Sequence, residues 1–154
     1  MEAGMQIGRC KALKELKYSC HASIPPMGTP LCTPRKIEPG KAKVFSFGKG
    51  NQSFEMFVVR KPKNVFLPDR CQGLDGLFAY VNKCPHTYSP LDWKPGTFFN
   101  STNEALQCST HGALFRIYDG FCFSGPCNGK YLEPINIFLK KGFVCVGKIV
   151  LSAY

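Results

Sequence analysis

Two short segments each place a cysteine beside a histidine, and this arrangement constrains the fold more than any other feature of the sequence. NKCPHTYSP (82–90) holds Cys84 and His86, and QCSTHGALF (107–115) holds Cys108 and His111. The chain has only three histidines, and these two segments contain two of them. Thiolate and imidazole are ligands of zinc, copper and iron–sulfur sites. A fold that uses all four must bring two separate loops to one point.

The segments around these pairs have the pattern of short β-strands. They are rich in aromatic and β-branched residues, and glycine-containing turns such as Asp119-Gly120 and Lys141-Gly142 separate some of them. This spacing predicts an all-β sandwich or barrel. The predicted strands are KVFSF (43–47), FEMFVVR (54–60), LFAYV (77–81), ALQCS (105–109), ALFRIY (113–118), FCF (121–123), INIFL (135–139) and FVCVG (143–147), with KIVLSAY (148–154) closing the chain.

Residues 1–40 differ from the rest and predict a basic, irregular extension ahead of a domain over 41–154. CKALKELKYSC (10–20) could form a short helix, but the five prolines that follow prevent any longer one. The extension also carries Cys10, Cys20, His21 and Cys32. Their spacings fit no standard metal site, so packing is favoured over a second site, and their role stays open.

Composition narrows the classes of function. The hydrophobic share of 44% indicates a globular body, and no apolar run approaches the roughly eighteen residues of a membrane helix. The net charge of +10 favours an acidic protein partner or is merely a basic surface; no nucleic-acid motif accompanies it. Nine cysteines without a signal-peptide pattern favour a reducing cytoplasm.

Zinc is the first alternative for the Cys/His pairs. Structural zinc sites usually group their ligands as two cysteines and two histidines, each pair with its own spacing. Here each loop supplies one ligand of each kind, and the first spacer is Pro85 alone. Mixed pairs suit a site with two metals, in which each loop gives its cysteine to one metal and its histidine to the other.

The pattern C-P-H, 21 residues, C-S-T-H-G resembles the signature of the Rieske 2Fe–2S proteins. The flanking segments YVNKCPH, SPLDW, CSTHGALFRIYDGFC and SGPC are similar as well, over roughly residues 41–149. The resemblance implies the Rieske fold, an antiparallel β-sandwich with a smaller cluster-binding subdomain at about 82–128. It implies that Cys84 and Cys108 hold one iron of a 2Fe–2S cluster and that His86 and His111 hold the other, outer iron. The gap between loops is long, and FFNSTNEA (98–105) is expected to absorb it as a hairpin tip.

The resemblance implies a one-electron carrier, not itself an enzyme, which passes electrons from a reductase to a terminal enzyme such as an oxygenase. Rieske oxygenases also need an iron held by two histidines and a carboxylate, whereas here only His21 remains uncommitted. Two alternatives stay open. One is an accessory subunit similar to the small subunit of nitrite reductases, and the other is a redox-sensing binding module. The chain is expected to be a monomer or one subunit of a complex.

The resemblance also implies a low reduction potential. High-potential Rieske proteins carry a serine and a tyrosine, two and four residues after the second histidine, whose hydroxyls donate to the cluster; the residues here are Ala113 and Phe115. Those members also join the two loops by a disulfide, and the equivalent residues here are Ser89 and Thr110. All three differences favour a potential near the lower end of the family's range.

SGPC (124–127) resembles the segment that covers the cluster from a third side in Rieske proteins. Its Cys127 follows Cys122 by five residues. Packed free thiols are the favoured interpretation of this pair, with a disulfide or redox sensor as the alternative. Trp93 and the pair Phe98–Phe99 are expected to anchor the core or the loops.

Overall fold

A computed structural model describes residues 23–149, which form ten short strands joined by turns and three 3-10 helices. Every paired strand is antiparallel, so the predicted all-β class is confirmed for this part of the chain. The strands are β1 Pro30–Cys32, β2 Ala42–Phe47, β3 Phe54–Arg60, β4 Leu77–Val81, β5 Leu106–Gln107, β6 Leu114–Phe115, β7 Cys122–Ser124, β8 Pro134–Ile135, β9 Ile137–Lys140 and β10 Phe143–Val146, and the 3-10 helices are Pro34–Lys36, Gly50–Gln52 and Asp69–Cys71.

The strands form three sheets, with the four-stranded sheet β2–β3–β4–β8 in the middle. The sheet β1–β10–β9 packs on one face of it, and this pairing encloses the first hydrophobic core. The small sheet β5–β6–β7 and the loops that carry the Cys/His pairs cover the other face and enclose the second core. The candidate site therefore lies in a separate layer supported by the central sheet.

The central strands read as continuous apolar runs because both of their faces are buried. Side chains of a strand point alternately to opposite faces. Along β4, Leu77, Ala79 and Val81 enter the first core, whereas Phe78 and Tyr80 enter the second. All five are buried. This arrangement explains the absence of the apolar–polar alternation that a sheet with one face in water would show.

Part of the predicted extension belongs to the folded body. β1 pairs with β10, and the side chains of Cys32 and Ile37 are buried in the first core. Arg60 fastens this segment, since its guanidinium donates to the carbonyl oxygens of Ile37 and Pro34 at 2.6 Å each. The expectation of an irregular segment was wrong for residues 30–36, because the prolines lie at the start of β1 and at the start of a 3-10 helix, where no amide donor is needed.

The segment predicted as one strand over 135–139 is divided between two sheets. β8 pairs with β4 in the central sheet, and β9 pairs with β10 in the outer one. Asn136 lies between them, and its carbonyl oxygen accepts a hydrogen bond from Gly147 at 2.6 Å. The chain therefore changes sheets at Asn136, in the middle of an apolar run.

Some predictions fall on residues outside the described part of the chain. These are the helix over 10–20, Cys10, Cys20, His21 and the end of the predicted last strand. Residues 148–149, where that strand was predicted to begin, have no regular structure. Between residues 23 and 149, no helix is both long enough and apolar enough to cross a membrane.

Candidate metal centre

The first candidate loop begins at Cys84, three residues after the end of β4. The amide of Cys84 donates to the carbonyl oxygen of Ser89 at 2.8 Å, and the amide of Tyr88 donates to the carbonyl oxygen of Cys84 at 2.7 Å. These two bonds close a tight loop in which Cys84 is buried and His86 is partly exposed. Tyr88 adopts a left-handed conformation with φ of 61°, which lets the chain turn back within the loop.

The second loop, between β5 and β6, repeats this hydrogen-bond pattern. The amide of Cys108 donates to the carbonyl oxygen of Ala113 at 2.9 Å, and the amide of Gly112 donates to that of Cys108 at 2.9 Å. Gly112 occupies the position that Tyr88 has in the first loop and is also left-handed, with φ of 71°. Each cysteine therefore starts a loop closed at the fourth and fifth residues after it, and each histidine lies inside that loop.

A buried polar network holds the first loop in place. Asn82 is 2% exposed, and its side-chain amide donates to Glu55 at 2.7 Å and to Asp92 at 2.8 Å. Its side-chain oxygen accepts a hydrogen bond from the amide of Leu91 at 3.0 Å. These contacts join both ends of the first loop to β3. The role of Asn82 was not predicted from the sequence, although an asparagine directly after a buried strand can indicate such a polar contact.

Two direct bonds link the first loop region to the second. The amide of Ser109 donates to the carbonyl oxygen of Leu91 at 2.8 Å, and the indole nitrogen of Trp93 donates to the hydroxyl of Thr110 at 3.2 Å. Trp93 is 73% exposed, so its predicted place in the core was wrong, whereas a loop-anchoring role agrees with its bond to Thr110. Phe98 is buried and stacks on Phe57 with a centroid distance of 4.0 Å.

The long gap between the pairs is taken up by a tight turn, as predicted. The amide of Asn100 donates to the carbonyl oxygen of Ala105 at 3.0 Å, and Phe99 forms an isolated β-bridge with Leu106. The side-chain oxygen of Asn100 accepts hydrogen bonds from the amides of Glu104 and Ala105. The extra residues therefore project from the site without altering either loop.

The segment Ser124–Cys127 packs against the second loop. Gly125 has φ of 101°, and a Cβ atom at this position would lie 2.8 Å from the Cα atom of Ala113. Ser124, Gly125 and Pro126 are exposed, whereas Cys127 is buried. The segment thus forms an outer layer over the second loop, and only glycine permits the approach at residue 125.

The structure brings the four predicted ligands together in pairs. The rings of His86 and His111 meet edge to face with centroids 4.7 Å apart, at the more exposed side of the site. Cys84 and Cys108 are each 1% exposed, and they lie close enough that each thiol shifts the pKa of the other. The two cysteines therefore lie on the inner side and the two histidines on the outer side.

The charge state of the two thiols favours a bound cation. The neighbouring thiol of Cys84 lowers the pKa of Cys108 to about 5. The Cys108 thiol, together with burial, raises the pKa of Cys84. One thiolate is thus favoured and a second is opposed, because two buried negative charges repel each other. A positively charged metal group would stabilise both thiolates at once.

A further observation fits the histidines to a metal. The Nδ1 atom of His86 is buried and has no hydrogen-bond partner, and an unpaired buried nitrogen of this kind is costly unless something binds it. Within residues 23–149, no three Cys, His, Asp or Glu side chains converge as a site for one ion. A two-iron cluster needs only two protein ligands on each iron, which the Cys84–Cys108 and His86–His111 pairs supply.

Comparison with known proteins gives the class of this chain. The family description of the Rieske [2Fe-2S] domain matches residues 29–141. The chain belongs to the Rieske [2Fe-2S] domain family. That family implies a 2Fe–2S cluster. No curated protein matches the sequence.

Solved structures share the fold at low sequence identity. A chain of the complex of reduced oxygenase and oxidized ferredoxin in carbazole 1,9a-dioxygenase has a TM-score of 0.54 and 19% identity, over 82% of this chain and 98% of that one. The ferredoxin of carbazole 1,9a-dioxygenase from Nocardioides aromaticivorans IC177 has a TM-score of 0.50 and 17% identity, over 77% and 97%. In a carbazole-bound oxygenase and ferredoxin complex, the matched chain gives a TM-score of 0.55 and 19% identity over 78% of this chain, which spans only 28% of that chain's length.

Of the remaining predicted residues, Cys32 lies away from the two loops, whereas Ser89 and Thr110 lie within them. Cys32 is buried in the first core on β1, where burial raises the pKa of its thiol. The hydroxyl of Ser89 hydrogen bonds with that of Thr87 at 2.8 Å, and Thr110 is bonded to Trp93. Ser89 and Thr110 therefore each have another partner where some Rieske proteins have a disulfide.

Proposed function

We propose that Cys84, His86, Cys108 and His111 hold one Rieske 2Fe–2S cluster and that the protein is a one-electron carrier. The observation that carries the proposal is the placement of two cysteines buried in one core beside two imidazoles that contact each other, of which His111 is exposed and His86 partly exposed. Family membership supports the choice of cluster. When bound, such a cluster takes up and releases a single electron.

The residues of the chain provide what an electron carrier needs. Buried Cys84 and Cys108 hold the inner side of the site away from water. His111 is exposed and His86 is partly exposed, so their ring edges offer the shortest path from the site to a docked protein. The matching backbone bonds of the two loops keep the four side chains in place when the charge of the site changes.

We propose a low reduction potential for this carrier, near the bottom of the roughly −150 to +300 mV span of Rieske centres. Ala113 and Phe115 are both fully buried beside the second loop and carry no hydroxyl. A hydroxyl donor near the cluster would stabilise its reduced, more negative form and raise the potential. Such a potential suits electrons from a nicotinamide-linked reductase.

We propose that the partners are an acidic reductase and a terminal enzyme such as an oxygenase, met in the cytoplasm. The net charge of +10 favours association with acidic surfaces. Exposed Trp93 donates to Thr110, the residue before His111, so an aromatic ring lies near the exposed imidazole, and the next residue, Lys94, is an exposed positive charge. The complexes of carbazole 1,9a-dioxygenase support an oxygenase as the acceptor, since they join an oxygenase with a ferredoxin of this fold.

The test is electron transfer by the purified, cluster-loaded protein. A nicotinamide-linked flavoprotein reductase should reduce it by one electron per chain, and cytochrome c should reoxidise it rapidly over many cycles. Stopped-flow absorbance follows both steps, with Cys145→Ala as the control that keeps all four ligands.

Other outcomes would contradict a free carrier. Purification from the native host in a fixed complex with an enzyme, without exchange, would indicate an accessory subunit. Slow reduction and reoxidation, combined with an affinity for a partner that changes with redox state, would indicate a sensor.

A further inference from the structure

Cys122 and Cys127 form a second sulfur pair beside the candidate metal centre. Their Sγ atoms are 3.1 Å apart, with the Cys127 thiol donating, and the side chains are 0% and 1% exposed. Both are free thiols. We propose that they form a reversible disulfide and that its redox state tunes the potential of the adjacent cluster. The second half of this proposal rests on the proposed function, and the first half does not.

The backbone holds the two residues together independently of their side chains. Cys122 lies on β7, where its amide donates to the carbonyl oxygen of Lys130 at 2.8 Å and its own carbonyl accepts from Gly129 at 2.9 Å. The amide of Lys130 donates to the carbonyl oxygen of Cys127 at 3.0 Å. A disulfide needs its sulfur atoms about 2.05 Å apart. Starting from 3.1 Å, the sulfurs need to approach by only about one ångström.

Other buried thiols of the structure do not share this arrangement. The thiol of Cys145 donates to the carbonyl oxygen of Phe143 at 3.6 Å, two residues away on the same strand. Cys32 is buried in the first core, on the opposite face of the central sheet from Cys122 and Cys127. Its strand, β1, pairs with β10, which carries Cys145. Cys145 therefore serves as a matched control, because it is buried to the same degree and has a backbone partner.

The pair reaches the metal centre through Cys127. Cys127 lies in the same buried core as Cys84 and Cys108, and Cys84 must be a thiolate to bind a metal. In the structure the S–H group of Cys127 donates to Cys122, but a thiolate is a stronger acceptor than a neutral thiol. Once Cys84 is a thiolate, the reduced pair supplies an S–H donor beside a ligand sulfur, and donors of this kind raise the potential of an iron–sulfur centre.

Oxidation removes this donor. In exchange with a small-molecule disulfide, the two thiols lose two protons and two electrons and form one S–S bond, while the reagent's S–S bond breaks and takes up both protons and electrons to give two thiols. Neither sulfur of the pair then carries an S–H group that could donate to a ligand thiolate. The cluster potential should fall when the pair is oxidised and rise when it is reduced.

The experiment equilibrates the cluster-loaded protein in buffers of oxidised and reduced dithiothreitol of increasing oxidised fraction. Free thiols are then blocked with iodoacetamide, and peptide mass spectrometry locates any disulfide. Voltammetry on the same samples measures the cluster midpoint. Cys122→Ala and Cys127→Ala remove the pair, and Cys145→Ala is the control.

The expected result is a Cys122–Cys127 disulfide that forms and disappears reversibly in the wild type and in Cys145→Ala. The midpoint should be lower in the oxidised form, and Cys127→Ala should have a low midpoint in both buffers. Absence of this disulfide at every buffer ratio, or a disulfide to Cys84 with cluster loss, would overturn the proposal. A disulfide with an unchanged midpoint would overturn the coupling. If no cluster forms, the proposed function fails, and the peptide map still decides whether the disulfide exists.

Discussion

Two residues that lie beside the proposed ligands, without being ligands themselves, are expected to influence the reduction potential of the cluster. Ala113 and Phe115 follow His111 on the path into β6, and both are fully buried. Ala113→Ser and Phe115→Tyr should each raise the midpoint potential, because each adds a hydroxyl donor near the cluster sulfurs. Voltammetry measures the shift.

The control for these variants is Phe143→Tyr, which adds the same hydroxyl at an exposed position on β10. It should leave the midpoint unchanged. If neither Ala113→Ser nor Phe115→Tyr moves the midpoint, burial of the site controls the potential instead. A wild-type midpoint well above zero would contradict the low-potential proposal directly.

Asn82 fixes the first loop through a buried side-chain network. Asn82→Ala leaves the buried amide of Leu91 without its acceptor, at a cost of about 1–3 kcal/mol. The variant should melt at a lower temperature and lose the visible absorbance of its cluster faster than the wild type. Asn64→Ala, on an exposed turn, is the control and should match the wild type. Equal melting of both variants would mean that the network does not support the loop.

At the scale of the structural elements, the turn at Gly125 packs so closely on the second loop that it leaves no room for a Cβ atom. Gly125→Ala places a Cβ atom 2.8 Å from the Cα atom of Ala113, whereas the same substitution at Gly129 meets nothing within 4 Å. Both glycines have positive φ, so the conformational strain is common to both variants. The difference between them isolates the clash.

Gly125→Ala should therefore be less stable than Gly129→Ala by about 1–3 kcal/mol, the usual cost of forcing an extra carbon into a packed site. Cluster retention during thermal melting provides the measurement. Equal losses in the two variants would show that the turn moves aside without disturbing the second loop.

The sequence predicts the strands near the site because their composition and turns are local signals. It does not predict the change of sheet at Asn136, because an apolar run looks the same whether one sheet or two receive it. The strand at Pro30–Cys32 is hidden by prolines that suit its edge position. The repeated loop closure is also hidden, since Tyr88 takes a left-handed conformation that its identity does not signal. The four proposed ligand positions are indicated by their spacing and flanking segments, and the structure brings them together in pairs.

At the scale of the whole molecule, the net charge of +10 predicts how the protein meets its partners. Association with an acidic reductase should slow steeply as salt rises, because screening acts over about 10 Å at 0.1 M ionic strength. Stopped-flow measurements from roughly 20 mM to roughly 500 mM salt, where screening changes most, give the dependence of the association rate on ionic strength. A rate that does not change with ionic strength would mean that the charge has no part in docking.

Our proposal that Cys84, His86, Cys108 and His111 hold one 2Fe–2S cluster can be tested directly. The direct measurement is iron and acid-labile sulfide per chain in protein purified without oxygen, for the wild type, His86→Ala, Cys108→Ala and Cys145→Ala. We expect two irons and two sulfides per chain in the wild type and in Cys145→Ala, as the cluster composition requires. We expect no iron and no sulfide in the two ligand variants, which should also melt at lower temperature because metal binding and folding are coupled. Stoichiometric zinc without sulfide in the wild type, or a full cluster in either ligand variant, would contradict the proposal.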